Sequence, residues 1–325
     1  MVRGYIERAV TKQDYFHQFH AAEPDNTDPE RSYYYDLRAR AHYDGPFNGA
    51  LPVIDYRGIT FTNPVHAAQY GIAHLQHYWD SGEEKWFDRA HDVARALVAS
   101  AAREGASLVW RYPVPTHGAC NWLSAMAQGQ VASLLLRVAA QTGDTALRDS
   151  ATAALEPFFH DIDSSGVRAE LDGHVWFEEY AFEPVPFTLN GFIVALLGLR
   201  DATCLLEPAR EEHIVVYRQG LTAVSALLPR FDARGWSRYD LLTQSLLGMQ
   251  LRNLASPFYH RFHVELLSIL AGLEANERID TVRRKWKLSL TSGVVFYTAT
   301  AEKALYRLLT PNAQALASTR ARHRM

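Results

Sequence analysis

The run Trp176-Phe177-Glu178-Glu179-Tyr180, followed by Pro184, Pro186 and Leu189-Asn190-Gly191-Phe192, puts two adjacent carboxylates and a phenol at the mouth of an apolar helix. A carboxylate so placed can act as a base. Aromatic neighbours lower the local dielectric and raise a carboxyl pKa, so whichever glutamate faces inward could take and return protons near neutral pH. The other glutamate is expected in solvent. The plainer alternative is a strand that meets its core through Trp176 and Phe177 and carries Glu178 and Glu179 as surface charges.

Further stretches carry groups of the same kind. Leu108-Val109-Trp110-Arg111-Tyr112-Pro113 leads to Asn121-Trp122 and then to a helix start bearing Gln128 and Gln130. Two residues apart, those glutamines diverge on a helix, so only one points inward easily. Ser124, Ala125, Ala127 and Gly129 would let a helix or a ligand approach closely, and tight helix packing with a polar glutamine is the equal alternative. Gly235-Trp236-Ser237-Arg238-Tyr239-Asp240-Leu241 and Ser256-Pro257-Phe258-Tyr259-His260-Arg261-Phe262-His263 each supply a tyrosine in or before an irregular segment. A phenol with pKa of about 10 can exchange protons if cations such as Arg238 or Arg261 lower it. The chain has 16 tyrosines, so packing alone is the base expectation for any one. His260, His263 and Glu265, like His17 and His20, invite a metal reading. Their spacing lacks the four-residue helix-face pair of zinc hydrolases, so no metal is expected. No phosphate loop, dinucleotide fingerprint or nucleophile elbow occurs.

The elements that position these groups are helical. Asn63-Pro64 opens a helix ending at Ser81-Gly82, and a second follows over about 83–102. The pair recurs at 124–142, closed by Gly143-Asp144, and 145–159. Gln69 precedes Gly82 as Gln130 precedes Gly143, an offset of 61 residues in both cases. A further 61 reaches Gly191, heading a helix over 191–199 with a partner over about 207–228. A looser fourth pair spans 263–273 and 278–290, and a last helix near 299–309 is expected to dock outside. Repeated helix hairpins each bury the face their neighbour exposes, so the expected fold is mainly α, an α/α barrel or toroid of about four hairpins. Residues 1–60 read as an N-terminal arm of loops and short strands, 61–310 as the barrel, and 311–325 as a basic tail. The segments before the first helix of each hairpin crowd one end of such a toroid. Their aromatic and hydrogen-bonding side chains suit stacking on sugar rings.

With 325 residues, 48% hydrophobic and 21% charged, the chain can bury one large core or two moderate ones, which excludes a disordered polypeptide. A net charge of -3 gives no global reason to bind nucleic acid. Cys120 and Cys204 stand in no motif and are expected as buried thiols rather than as a disulfide or zinc pair. The first residues lack the apolar run of a signal peptide, and no segment reaches the roughly 18 apolar residues of a membrane span, so the expected address is the cytoplasm.

Four segments together resemble the C-terminal domain of the D-glucuronyl C5-epimerases. They are Phe61-Thr62-Asn63-Pro64 through Ala68-Gln69-Tyr70-Gly71, Ser124-Ala125-Met126-Ala127-Gln128-Gly129-Gln130, Trp176 to Tyr180 with Leu189-Asn190-Gly191-Phe192, and Tyr239-Asp240-Leu241 with Phe258-Tyr259-His260. The resemblance runs from about residue 60 to about 290, including Arg284-Lys285-Trp286-Lys287. It implies an α/α barrel that inverts the carboxylate-bearing carbon of glucuronate in a polysaccharide, giving iduronate without a redox cofactor. By position it implies Glu179 and Tyr259 as the proton-transferring pair, Tyr239 beside the substrate carboxylate, and Tyr180 at a position linked to activity. The family pattern has arginine where this chain has Leu242. Removing a proton next to a carboxylate requires that charge to be neutralised as the enediolate forms, for which Arg111, Arg238 and Tyr239 are the candidates. Trp122, Gln128, Gln130, Asn190 and His260 complete the expected substrate-binding set. The balanced charge favours an unsulfated, heparosan-like or other uronate glycan. A homodimer is compatible with all of this. A polysaccharide lyase, an unsaturated-uronide hydrolase or a noncatalytic glycan-binding module are the competing functions.

Overall fold

The computed structural model describes residues 28–309 except 57 and 117. The basic tail at 311–325 and the pair His17 and His20 lie outside the described residues. Within them the chain is mainly helical, with nine α-helices and short two- or three-stranded sheets.

Helix α1 (Pro64–Ser81) shows why the boundaries fall where they do. The Asn63 side chain accepts the backbone N–H groups of Val65 and His66 at 3.0 and 3.3 Å, and Pro64 takes the first helical position, where no N–H is needed. Gly82 ends the helix in the left-handed region at φ 69°. Helix α2 (Glu84–Ser100) packs back on it. The same design returns in α3 (Ala125–Thr142), capped by Ser124 and closed by Gly143 at φ 71°, and in α4 (Thr145–Leu155), capped by Asp144. Two more hairpins follow, α5 (Leu189–Leu205) with α6 (Glu211–Phe231), and α7 (Pro257–Leu273) with α8 (Glu277–Ser289). The first helices α1, α3, α5 and α7 pack one on the next in chain order.

Helices α3 and α5 approach most closely. A Cβ on Gly129 would lie 3.0 Å from the Ala195 carbonyl oxygen, and one on Gly198 would run into the Gly129 backbone. The small residues around Gly129 therefore serve helix contact. Residues 189–199 are buried throughout, which is why α5 reads as apolar on every side.

The arm contains two antiparallel hairpins, β1 (Phe47–Asn48) with β2 (Leu51–Pro52) and β3 (Ile54–Tyr56) with β4 (Ile59–Phe61). Before them, three consecutive buried tyrosines reach all four first helices. The Tyr35 carbonyl accepts from Gln76 Nε2 of α1 at 2.9 Å, and its hydroxyl accepts from Gln130 Nε2 of α3 at 2.7 Å. Its ring meets Phe262 of α7 with centroids 6.4 Å apart, while the Tyr34 hydroxyl donates to Asp201 Oδ1 of α5 at 2.7 Å. Asp201 also receives a two-pronged contact from Arg137 at 2.5 and 2.9 Å and the Ser133 hydroxyl at 2.5 Å. Both charges of this pair are fully buried, and both carboxylate oxygens are hydrogen-bonded.

Three expectations need correction. Helix α7 begins at Pro257 rather than 263, because Ser256 caps it and Pro257 occupies its first position. The last helix, α9 (Gly293–Leu309), starts earlier than 299 and packs against the strands β10 (Trp236–Leu246) and β11 (Met249–Leu254), which share a sheet with β9 (Asp232–Ala233). Cys120 and Cys204 are both exposed free thiols, one in the loop before α3 and one in the last turn of α5 as it leaves the core. No helix among the described residues is long and apolar enough to cross a membrane.

Candidate active site

The hairpin of β7 (Arg168–Leu171) and β8 (His174–Phe177) buries Trp176 and Phe177 completely, with Trp176 stacked between Phe192 and Phe231. These contacts hold fixed the strand end from which Glu178 and Glu179 project. Glu178 is fully buried rather than a surface charge and is a structural neighbour of Glu179: its carboxyl accepts the backbone N–H groups of Tyr180 at 3.1 Å and Thr188 at 3.2 Å. It thereby pins both ends of the loop that leads into α5. Burial pushes its pKa up to about 8, against the lowering effect of the Tyr180 N–H and with a smaller upward push from the charge of Glu179. The same loop is braced from outside. Ala125 N–H donates to the Glu178 carbonyl, Ala181 N–H to the Leu123 carbonyl, and Leu241 N–H to the Pro186 carbonyl.

Glu179 turns the other way and stays partly exposed. Asn190 Nδ2 donates to its Oε2 at 2.9 Å. Desolvation raises the Glu179 carboxyl to about 7, hydrogen bonds from Tyr180 and Asn190 oppose the rise, and the charge of Asp240 adds to it. Gly191 is required here by contact: a Cβ would collide with the Cβ and carboxylate of Glu179.

Three phenols complete the cluster. The hydroxyls of Tyr180 and Tyr239 lie 3.0 Å apart, and the rings of Tyr239 and Tyr259 meet edge to face with centroids 4.9 Å apart. Burial drives the phenols of Tyr180 and Tyr239 well up, and the charge of Glu179 pushes both further. Glu179 and Tyr180 come from the loop before α5, Tyr239 from β10, and Tyr259 from the first turn of α7. All four remain partly open while their surroundings are buried.

An aromatic wall flanks the cluster. Tyr112 stacks on Trp122 at 4.2 Å with planes 5° apart, and Trp122 leans on Tyr180 at 5.1 Å. Such ring pairs contribute about 0.5–1.5 kcal/mol beyond their burial, enough to hold a flat surface in place. Tyr112 also donates to Asn63 Oδ1 at 3.0 Å, tying the wall to the cap of α1.

Other expected substrate contacts are engaged elsewhere. Arg111 grips Glu104 with two hydrogen bonds of 2.7 Å, on the hairpin of β5 (Ala102–Glu104) and β6 (Ser107–Val109). Arg238 bonds the carbonyls of Asp240 and Leu242 on its own strand. Gln128 donates to the carbonyls of Leu108 and Ala154, and Gln130 joins Gln69 to the arm tyrosines, so both are structural braces. His260 is fully buried between Ser237 and the Trp286 carbonyl, and burial lowers it to about 4, so it is a neutral strut. Among the described residues no three His, Cys, Asp or Glu side chains gather where they could hold a metal ion.

Sequence reading missed Tyr112, the buried trio Asp240, Asn253 and Lys303 behind Tyr239, and the role of Gly191 as a cradle. Tyr112 sits in a stretch already conspicuous for aromatic residues. Nothing local marks Lys303, which arrives from a helix distant in sequence.

A family model for the D-glucuronyl C5-epimerase C-terminus matches residues 103–288. The match opens after the Phe61 to Gly71 segment and closes before α9. The D-glucuronyl C5-epimerase of Caenorhabditis elegans is 35% identical over 176 residues, which are 51% of this chain and 28% of that protein. An uncharacterized protein of Methanocaldococcus jannaschii is 28% identical over 174 residues, 49% of this chain and 56% of its own length. The chain therefore spans little more than a quarter of one curated relative and about half of the other. Since the matched region contains Glu179, Tyr180, Tyr239 and Tyr259 and takes in more than half of the chain, this protein belongs to the D-glucuronyl C5-epimerase family through that family's C-terminal region.

Proposed function

We propose that this protein inverts C5 of D-glucuronate residues in an unsulfated, heparosan-like or related uronate polysaccharide. The observation that carries the reading is Glu179, a carboxyl held near neutrality by burial and set among three phenols from separate elements. The Glu179 carboxylate takes the C5 proton, and the electron pair of the broken C–H bond passes into the substrate carboxylate as an enediolate. Tyr239, with Tyr180 behind its hydroxyl, donates to the developing charge. Tyr259 returns a proton to C5 from the opposite face, and solvent exchange resets both groups. The preference for an unsulfated chain rests on Arg111 and Arg238 being engaged within the protein, and on Leu242 at the position of the family arginine. The reading includes an α/α toroid, supported by the arm tyrosines that touch all four first helices.

The test is deuterium uptake at C5 from heavy water across a panel of uronate polymers. Wild-type protein should exchange, while Glu179→Gln and Tyr259→Phe each lose at least about 100-fold, the usual contribution of a positioned acid or base. Exchange surviving both substitutions overturns the assignment of the pair. An unsaturated uronate seen by its ultraviolet absorbance identifies a lyase instead.

A further inference from the structure

Behind Tyr239 lies a buried charge that the reaction above does not use. Lys303 of α9 is 3% exposed, and its Nζ donates to Asn253 Oδ1 at 2.5 Å. Asn253 Nδ2 in turn donates to Asp240 Oδ2 at 2.6 Å, so one amide joins the ammonium to the carboxylate. The Nζ also stands over the ring of Tyr239, 5.4 Å from its centroid, and over that of Tyr306 at 6.0 Å. Charge balance accounts for a cation near Asp240 but not for its seat over the ring of Tyr239.

The site needs positive charge. Glu179 and the substrate bring carboxylates together, Arg111 and Arg238 are engaged elsewhere, and the phenols are neutral donors. A cation on the face of a phenol is held more strongly as negative charge builds on that phenol's oxygen. As the Tyr239 hydroxyl donates to the enediolate its ring becomes more electron-rich, so the Lys303 contact tightens in the transition state rather than the ground state. We propose that Lys303 is a positioning residue for the epimerisation, holding the Tyr239 ring and polarising its hydroxyl toward the substrate carboxylate from behind. This rests on the proposed function, and it assigns a part in the reaction to α9, which lies outside the family match.

The groups around Lys303 fix its pH behaviour. Tyr239 and Asp240 come from β10, Asn253 from β11, and Tyr306 and Arg307 from α9 itself. Burial and the charge of Arg307 lower the ammonium, and Asp240 supports it. Burial raises the Asp240 carboxyl, with Lys303 opposing. The ammonium is thus lost as pH rises through a value below that of a free lysine.

The test compares wild type, Asp240→Asn, Lys303→Met and the double variant. Lys303→Met alone leaves a buried carboxylate without its cation and is expected to lose stability as well as activity. The double variant removes both charges and should recover the melting temperature, while kcat stays down at least tenfold from Asp240→Asn with KM little changed. A fluorinated tyrosine at position 239, followed by fluorine resonance, should show a titration component in Asp240→Asn that disappears on adding Lys303→Met. Recovery of kcat together with stability, or a fluorine titration indifferent to Lys303, overturns the proposal and leaves Lys303 as a structural counter-charge. If wild-type protein exchanges no uronate hydrogen, the epimerase reading fails, and the fluorine titration still decides whether Lys303 acts on Tyr239.

Discussion

Glu178 and Glu179 are neighbours with opposite tasks, and the difference comes from which way each side chain turns. Glu178 meets two backbone N–H groups in a fully buried site, whereas Glu179 meets an amide and a phenol and stays partly exposed. The pKa of Glu178 rises from about 4.5 to about 8 on folding, so its protonated form is the one the folded state prefers. Its contribution to stability is complete below pH 4.5 and is lost as pH rises through 8. At about 1.4 kcal/mol per unit this is on the order of 5 kcal/mol between those limits. Glu178→Gln keeps an oxygen acceptor and removes the charge. Its melting temperature should therefore gain on wild type steadily from pH 5 to pH 8, and two parallel curves would show that the carboxyl is not titrating.

At the scale of elements, the helix borders were the most legible part of the sequence. Asn63-Pro64, Ser81-Gly82, Ser124 and Gly143-Asp144 mark observed ends because caps and left-handed glycines act within one turn. The offset of 61 residues has a physical counterpart, since Gln69 Nε2 donates to Gln130 Oε1 at 3.1 Å. Equivalent positions of stacked hairpins face each other. The next residue in that series is Gly191, where the side chain is dispensed with and Glu179 fills the space. Gly191→Ala should displace the Glu179 carboxylate and lower kcat about 100-fold, the usual consequence of a misplacement near 1 Å. Circular dichroism should stay that of wild type, and a full-strength enzyme would show that Glu179 does not need this seat. The start of α7 was less legible because Phe258-Tyr259-His260 lacks an apolar period. Its cap pair Ser256-Pro257 was the available signal.

Across the whole molecule, the described part of the arm, from residue 28 on, is a structural insert among the helices. Tyr34 and Tyr35 connect α1, α3, α5 and α7, and the Arg137–Asp201 pair ties the α3 to α5 contact to them. Breaking such a buried pair leaves one charge alone and typically costs about 3–5 kcal/mol. Arg137→Met should cost that much in chemical denaturation, and Arg137→Met with Asp201→Leu should cost distinctly less. Equal losses from the single and double variants would mean that packing around the pair, not its charge, matters. The site is also a whole-molecule product: the loops before α3 and α5, the first turn of α7 and β10 each bring part of it.

The sequence by itself indicated most helices and their pairing, since capping and apolar periodicity are local properties of the chain, and its family resemblance named the proton-transfer candidates. It could not decide which polar side chains are already engaged. Arg111, Gln128, Gln130 and His260 looked available, and each has its partner within the fold. Nor could it reveal that Lys303 stands behind Tyr239, 64 residues earlier in the chain. Burial and charge pairing depend on distance in space, and only the folded chain fixes that distance.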